Sequence, residues 1–220
     1  MNWKVSAMNI YCVKREGKRL PCLDRVVFNP ANEEFCIENS FVPIDCFPWY
    51  ADYPFSCESR AYVTWSNEGL QVLLCSYEEQ IEVREEKFNG EVYKDSCLEF
   101  FLQPFLEDTR FLNIEINANG VALIGIGADR DHRTLLETLP EGMNISASKH
   151  KGGWWAISYI IPDHLLYKHY HRHISQGQEM RANFYKCERR IHPHYGMWCA
   201  AIAPKPDFYQ KDAFGILRIE

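Results

Sequence analysis

The chain has no long apolar run, and this absence argues against several classes of protein. The first twenty residues contain no apolar segment of the length that a secretion signal needs, and no later stretch approaches the roughly 18 apolar residues of a membrane-spanning helix. We therefore expect a cytoplasmic protein that does not bind membranes. Lysine and arginine are scattered and the net charge is −6, so we expect no nucleic-acid partner.

The sequence also lacks the motifs of the commonest hydrolases and nucleotide-binding proteins. It contains no GxSxG elbow, no Walker loop and no HExxH helix. The nine cysteines form no CxxC pair, and most lie in apolar, strand-like runs. This pattern indicates buried free thiols in a reducing compartment, with disulfides among Cys22, Cys36, Cys46 and Cys57 as the open alternative.

Short strand-like segments separated by turn residues fill the chain from Arg60 onward. Asn67-Glu68-Gly69 and Asn119-Gly120 are typical of tight hairpins. Pro162-Asp163 predicts the start of one short helix through Tyr167. The expected strands are 60–66, 70–76, 97–103, 111–117, 120–127, 153–161, 179–187, 197–203 and 214–219. We predict an all-β fold, an antiparallel β-sandwich with one short helix.

The first part of the chain is irregular, because five prolines interrupt its short apolar pieces. We expect residues 1–59 to form a wrapping segment that covers a sheet edge, and residues 60–220 to form the core of the sandwich. With 46% hydrophobic residues, the 220 residues are enough for one full core, so we expect a single domain over 1–220.

Alternation along the strands places unusual polar residues on one sheet face. Carboxylates, guanidiniums, carboxamides and rings would share that face, namely Arg60, Tyr62, Thr64, Glu99, Phe101, Gln103, Asn113, Glu115, Asn117, Arg181, Asn183 and Tyr185. Planar polar groups bind pairs of sugar hydroxyls, and aromatic rings stack on the C–H faces of a pyranose. The open alternative is that these residues only solvate an outer sheet face.

Four motifs follow one another along the chain: DSCLEFFLQP (95–104), FLNIEINANG (111–120), GWWAISYIIP (153–162), and MRANFYKCE (180–188) followed by Trp198 and FGILRI. In this order they resemble the carbohydrate-binding family 9-like domains. The resemblance covers roughly residues 60–220. It implies a DOMON-like, jelly-roll sandwich without catalytic activity that binds a mono- or disaccharide, often by its reducing end. Such modules act in polysaccharide catabolism beside glycoside hydrolases, and several contain structural calcium.

The resemblance also implies which residues hold the sugar. Glu99 and Asn117 match positions that hydrogen-bond sugar hydroxyls, and Arg181 and Asn183 are candidates for further polar contacts. The two stacking rings would be Tyr93 and Trp198. A tyrosine at position 93, where the family pattern has a tryptophan, is a departure that leaves the sugar preference open.

Other interpretations of single clusters remain open. Asp129, Asp131 and His132 could bind calcium or form a polar loop tip. The histidines at 164, 169, 171, 173, 192 and 194 could bind zinc or copper, and together with Met143, Met180 and Met197 they could ligate haem. Glu99 and Glu115 could form a glycosidase pair. A domain that kept the fold but interacts with a protein partner is a further alternative.

Overall fold

The computed structural model describes residues 9–15, 41–150 and 152–220, and the backbone of two short strands between the first two ranges. Cys22 and Cys36, two of the four cysteines considered for disulfides, lie outside the described residues; Cys46 and Cys57 carry free thiols. In the described part of the chain, no helix has the length and apolar character needed to cross a membrane.

The described residues form fifteen strands and one α-helix. The strands are β1 (Ile10–Val13), β2 (Phe28–Asn29), β3 (Glu34–Phe35), β4 (Val42–Pro43), β5 (Ser59–Ser66), β6 (Gly69–Tyr77), β7 (Cys97–Gln103), β8 (Phe111–Asn117), β9 (Ala122–Gly127), β10 (Arg133–Leu135), β11 (Ser146–Lys149), β12 (Trp154–Pro162), β13 (Glu179–Glu188), β14 (His194–Met197) and β15 (Gly215–Ile219). Helix α1 is Asp163–Tyr170, and 3-10 turns occupy Val92–Lys94 and Lys211–Ala213.

Two sheets form the sandwich. The eight-stranded sheet has the order β1-β15-β13-β7-β8-β9-β10, with β14 pairing with the second half of β13. The five-stranded sheet has the order β11-β12-β6-β5-β4, and β2 pairs with β3 separately. All pairings are antiparallel among these strands except that of β1 with β15. The predicted antiparallel sandwich with one short helix is confirmed. Strand β5, which carries Arg60, Tyr62 and Thr64, belongs to the five-stranded sheet, so the prediction that these residues share the polar face of the other strands is wrong.

The two predicted hairpins and the predicted helix form at the positions that their turn residues indicated. Gly69 has φ +130°, and a Cβ there would lie 2.1 Å from the carbonyl oxygen of Ile161, so the β5–β6 turn requires glycine. Gly120 has φ +82° in the β8–β9 turn. Helix α1 follows Pro162 and ends at His171, which adopts a left-handed conformation.

Where the structure describes it, the early part of the chain contributes one edge strand to each of the two sheets. Strand β1 adds to the eight-stranded sheet beside β15, and β4 adds to the five-stranded sheet beside β5. Unpaired edges would otherwise present free backbone N–H and C=O groups. The single-domain organisation over 1–220 stays a prediction.

The main hydrophobic core lies between the two sheets. Alternate residues of β7 and β13 face it, and the rings of Phe100 and Phe184 stack at 4.7 Å between centroids. Trp155 also belongs to this core, whereas its neighbour Trp154 packs in a separate cluster on the other face of the five-stranded sheet. Adjacent strand residues point to opposite faces, as expected.

A second hydrophobic cluster covers the outer face of the eight-stranded sheet. Residues of segments 46–53 and 201–214, which we call the cover, pack on outward residues of β7, β8 and β13. Trp49 donates a hydrogen bond across the cover to the carbonyl of Ala203 at 2.8 Å. The sequence predicted a strand over 197–203. That prediction is wrong beyond Met197, where the observed strand ends, because the chain leaves the sheet there and crosses over its face.

Candidate functional site

A small cavity remains between the cover and the outer face of the eight-stranded sheet. Its volume is about 200 Å³, which is below the ~300–1,000 Å³ typical of pockets for drug-sized ligands and suits one sugar ring. We call it the sheet-face pocket. It is lined by Tyr93, Glu99, Glu115, Arg130, Arg133, Arg189, Phe208 and Tyr209.

Two carboxyl groups form the part of the pocket nearest the sheet. Glu99 on β7 and Glu115 on β8 are direct cross-strand partners, and both are buried. Carboxyl groups in this position are harder to ionise, because burial removes them from water. Burial raises the pKa of Glu115 to about 7, although Arg133 and two further arginines favour its charged form.

Glu115 is held in place by three donors. Its Oε1 accepts hydrogen bonds from Asn113 Nδ2 at 3.0 Å, from Tyr209 Oη at 3.2 Å and from Arg133 at 3.3 Å. The Arg133 contact is an ion pair in which both side chains are largely buried. This carboxyl group therefore ties the sheet to the cover at one side of the pocket.

Glu99 has thiol neighbours. Cys187 Sγ donates a hydrogen bond to Glu99 Oε1 at 3.1 Å, and Cys97 and Cys187 are cross-strand partners on β7 and β13. Burial, followed by the proximity of Cys187 and Glu115, raises the pKa of Glu99 well above its ordinary range. Glu99 therefore keeps its proton to a higher pH than an exposed glutamate does.

The ligand atoms of Cys97, Glu99 and Cys187 lie within 4.8 Å of one another, a spacing that could hold a metal ion. The guanidinium of Arg189 is the charged group beside them, and its positive charge opposes a bound cation. The hydrogen bond between Cys187 and Glu99 already accounts for the close approach. We therefore assign no metal to these three residues.

Two tyrosine rings reach the pocket from different loops. Tyr93 lies in the 3-10 turn before β7, and the guanidinium of Arg189 lies over its ring at 4.9 Å. Tyr209 lies in the cover, with Arg130 over its ring at 4.4 Å and Arg133 at 5.1 Å. Both rings are partly exposed, so each can offer surface to a ligand.

Of the six site residues predicted from sequence, Tyr93 and Glu99 lie together in the pocket. Asn117 lies on the same sheet face but is fully used inside the protein. Its Nδ2 donates to Asp95 Oδ2 at 3.0 Å and to the carbonyl of Glu85 at 2.9 Å, and its Oδ1 accepts two backbone N–H groups of the β8–β9 turn. No donor or acceptor of this amide is left for a sugar.

Asn183 and Trp198 lie inside the protein and contact other protein groups there, away from the pocket. Asn183 Oδ1 accepts the N–H groups of Phe184 and Cys199 at 3.0 Å, and its Nδ2 donates to the Cys199 carbonyl at 2.8 Å. Trp198 lies in the core between the sheets and contacts Phe184 at 5.7 Å between ring centroids. Its ring is therefore on the far side of the sheet from the pocket.

Arg181 lies four residues from Tyr185 along β13, which corresponds to about 13 Å. It lines a separate surface hollow with Leu106, Glu179, Met180 and Ile216. Arg181, predicted from sequence for the sugar site, therefore lies outside the sheet-face pocket. The structure instead brings in arginines from other segments.

Sequence reasoning did not assign six of the pocket residues to the site: Glu115, Arg130, Arg133, Arg189, Phe208 and Tyr209. Glu115 was visible in the alternation of β8. The others lie in loops, in the short strand β10 or just beyond β13, where no periodicity marks a face. The aromatic pair Phe208-Tyr209 between Pro206 and the last strand was the one available signal for the cover.

The loop considered for calcium from the sequence is stabilised by its own hydrogen bonds. Asp129 Oδ1 accepts the backbone N–H groups of Asp131 and His132 at 2.9 Å, and both of its oxygens contact His132 Nδ1. The loop therefore matches the second interpretation from the sequence, a polar loop tip. The Asp129 oxygens that a calcium ion would need already accept hydrogen bonds from N–H groups. Hydrogen bonding to His132 lowers the pKa of Asp129. The residues do not fit a calcium ion here.

The histidine groups do not converge. Among the described residues, only Cys97, Glu99 and Cys187 bring three possible ligand atoms together. His173 contacts Asp163, and His192 stacks on Phe55 at 5.1 Å. The methionines considered for haem, Met143, Met180 and Met197, are fully buried in hydrophobic clusters, and Met197 Sδ accepts the backbone N–H of Ala201 at 3.0 Å.

Comparison with known proteins agrees with this architecture. A crystal structure of a candidate carbohydrate-binding protein from Bacteroides uniformis superposes with a TM-score of 0.78 at 23% identity, covering 97% of this chain and 100% of that chain. A carbohydrate binding module family 9 from Caldicellulosiruptor kristjanssonii, in complex with cellotriose, gives a TM-score of 0.63 at 12% identity over 96% of this chain and 94% of that chain.

A structure with glucose of a family 9 module from the same organism gives a TM-score of 0.62 at 14% identity, covering 96% of each chain. Because all three identities are below 25%, these similarities show a shared fold and nothing further. A search of curated proteins found no significant match. The profile of carbohydrate-binding family 9 matches residues 34–219, which is most of the chain. The chain belongs to carbohydrate-binding family 9.

Proposed function

We propose that this chain is a non-catalytic carbohydrate-binding module that holds one ring of a mono- or disaccharide in the sheet-face pocket. The observation that carries the proposal is the convergence of two tyrosine rings, two carboxyl groups and three guanidiniums in a cavity of about 200 Å³. Flat rings and planar polar groups at one place are what a pyranose needs. Rigid strands hold the carboxyl groups at little entropic cost.

Each side chain has a distinct role in this proposal. Tyr93 and Tyr209 offer ring surface to the C–H faces of the sugar. Glu99 uses Oε1 toward Cys187, so its other oxygen is available to a sugar hydroxyl. Arg189 and Arg133 donate N–H groups at the edge of the ring.

The expected affinity is modest. A stacking contact contributes about 1 kcal/mol beyond burial, and a hydrogen bond exposed to water contributes a similar amount. A few such contacts correspond to dissociation constants from micromolar to millimolar.

The carboxyl pair supports binding rather than hydrolysis. A glycosidase needs two carboxyl groups that flank the scissile bond, one acid and one base or nucleophile. Glu99 and Glu115 sit side by side on neighbouring strands, and Glu115 Oε1 is taken by Asn113, Arg133 and Tyr209. Because one oxygen of Glu115 is already engaged by three donors, we assign the pair to ligand binding.

The first test is isothermal titration calorimetry with glucose, galactose, xylose, cellobiose and cellotriose. Glucose and cellotriose are included because the Caldicellulosiruptor modules were solved with these sugars. The wild type is expected to bind at least one sugar with saturable heat, and Tyr93→Ala is expected to weaken that binding tenfold or more.

Tyr167→Ala is the matched control, since Tyr167 is a half-exposed tyrosine on α1 outside the pocket. Its affinity should equal that of the wild type. If no sugar of the panel gives heat with well-folded protein, or if both tyrosine variants bind equally well, the proposed function is wrong.

Several finer points stay predictions. A structural calcium ion is tested by repeating the titration after dialysis against EDTA and after adding calcium. The cytoplasmic location, a role in polysaccharide catabolism and association with a glycoside hydrolase follow from the sequence and the family resemblance alone. Release of p-nitrophenol from aryl glycosides would contradict the non-catalytic assignment.

A further inference from the structure

The sheet-face pocket has an excess of positive charge. Two of its three arginines have acidic partners: Arg133 pairs with Glu115 at 3.3 Å, and Arg130 pairs with Asp207 at 3.0 Å. Arg189 makes no ion pair with any residue that the structure describes. Its neighbours Glu99 and Cys187 contact each other instead.

Arg189 is held firmly in place despite having no acidic partner. Its guanidinium lies over the rings of Tyr93 at 4.9 Å and Tyr195 at 5.3 Å. Its Nε is buried and has no hydrogen-bond partner in the described structure. A buried donor without an acceptor is unfavourable, so a group of this kind at a pocket wall indicates a missing acceptor from a ligand.

Burial favours the uncharged form of both carboxyl groups of the pocket, which weakens their ability to offset this cation. Burial raises the pKa of Glu115 to about 7 and that of Glu99 well above its ordinary range. Cys187, whose pKa is lowered to about 7, lies near Arg189 together with Glu99 and Glu115, and against the effect of burial these groups raise the pKa of Arg189. No described carboxylate forms an ion pair with Arg189, however, and a neutral sugar would not supply one.

We propose that the preferred ligand of the sheet-face pocket is an acidic sugar whose ring carries a carboxylate, and that Arg189 binds this carboxylate. The inference rests on the proposed function and narrows its ligand class. A guanidinium and a carboxylate form paired, charge-assisted hydrogen bonds, which fix the orientation of the ring as well as its affinity. The aromatic rings around Arg189 hold the fork in the orientation that it would need.

The test compares glucuronate with glucose and with the methyl ester of glucuronic acid, and galacturonate with galactose, by isothermal titration calorimetry. The ester keeps the shape of the acid but removes its charge. At least one of the two acids is expected to bind tenfold or more tightly than its neutral counterpart, the range of a charge-assisted hydrogen bond. Added sodium chloride should weaken binding of the acid more than binding of the neutral sugar.

Arg189→Gln should reduce the ratio of acid to neutral affinity to about one. Arg172→Gln is the matched control, because Arg172 also lies over an aromatic ring, that of Phe105, at 4.6 Å and lies outside this pocket. That variant should keep the wild-type ratio.

The outcomes separate the inference from the proposed function. If neutral sugars bind as tightly as both acids, or if Arg189→Gln keeps the ratio, the inference is wrong and the proposed function stands. If sodium sulfate or acetate binds as tightly as glucuronate, the pocket is an anion site without sugar selectivity, which also overturns the inference. If neither acids nor neutral sugars bind, both are wrong.

Discussion

Glu99 on β7 and Glu115 on β8 are direct cross-strand partners, and both side chains are buried beneath the cover. Two acidic groups in this position resist ionisation, since each loses its hydration and each would repel the other's charge. The native state therefore retains protons that the unfolded chain releases. The proposed sugar site is built on this pair, so its pH dependence follows from the same two groups.

A first prediction concerns stability as a function of pH. A carboxyl group whose pKa is raised in the folded state stabilises the protein below its unfolded pKa, and this contribution is lost as the pH rises through the folded value. For Glu115 the interval runs from 4.5 to about 7. For Glu99 the direction is the same.

Glu99→Gln cannot lose a proton, so its free energy of unfolding should rise relative to that of the wild type between pH 5 and pH 8. The slope is about 1.4 kcal/mol per pH unit at most. Urea denaturation of both proteins at four pH values measures the difference. A difference that stays constant, or that shrinks as the pH rises, would show that Glu99 ionises normally in the native state.

A second prediction concerns His194, which makes the free energy of unfolding depend on pH with the opposite sign. Burial and the nearby Lys186 lower the pKa of His194 from 6.5 to about 2, so the unfolded chain binds a proton that the native state excludes. This group should therefore lower the stability of the wild type as the pH falls below 6.5, by at most about 1.4 kcal/mol per pH unit, against the opposite effect of the two glutamates.

His194→Gln should be less sensitive to acid over the same interval, measured by urea denaturation between pH 4 and pH 7. His164→Gln is the control, because His164 is an exposed histidine on α1. Equal acid sensitivity of the wild type and both variants would rule out His194 as the source.

A buried ion pair inside the sandwich should be important for stability. Lys186 Nζ lies 2.9 Å from Glu78 Oε1, and both side chains are almost completely buried. Glu78 also accepts hydrogen bonds from Trp155 Nε1 at 2.7 Å and Ser96 Oγ at 3.2 Å. Lys186→Met leaves this carboxylate without its counter-charge and should cost about 3–5 kcal/mol.

The double variant Lys186→Met, Glu78→Gln should recover a large part of that loss, because no unpaired charge then remains. Chemical denaturation measures both effects. Arg218→Met, which breaks the exposed pair of Arg218 with Glu179, should change stability far less. A Lys186 variant as stable as the wild type would contradict the described network.

Two residues that the sequence suggested for sugar binding should affect folding instead. Trp198→Phe leaves a cavity in the core and should cost about 1–3 kcal/mol. Asn183→Ala removes buried hydrogen bonds to Phe184 and Cys199 and should cost about 2 kcal/mol. Sugar affinity, measured at a temperature where both variants are folded, should stay within about twofold of the wild type. A tenfold loss in either variant would return that residue to the site.

The fold could be predicted because local signals and the final structure agree. Strand β8 alternates from Leu112 onward, with Leu112, Ile114 and Ile116 in the core and polar residues opposite. The glycine turn before β6 and Pro162 before α1 lie where their backbone geometry requires them. These signals depend on residues close together in sequence, which a single sequence displays directly.

The pocket could be predicted only in part. Alternation correctly placed Glu99 and Glu115 on one sheet face, but it could not show that the cover buries that face. Asn117 and Asn183 have the polar character of ligand-binding residues, yet their partners are backbone groups that only the folded chain brings near. Arg130 and Arg189 reach the pocket from loops, whose paths leave no periodic trace in the sequence.

The most direct test of the central claim is a crystal structure of the protein grown with glucose and another grown with sodium glucuronate. We predict density for one sugar ring in contact with Tyr93, Tyr209 and Glu99, and a carboxylate of glucuronate paired with Arg189. Ordered sugar bound on any other surface, with the sheet-face pocket holding only water, would contradict the proposed site.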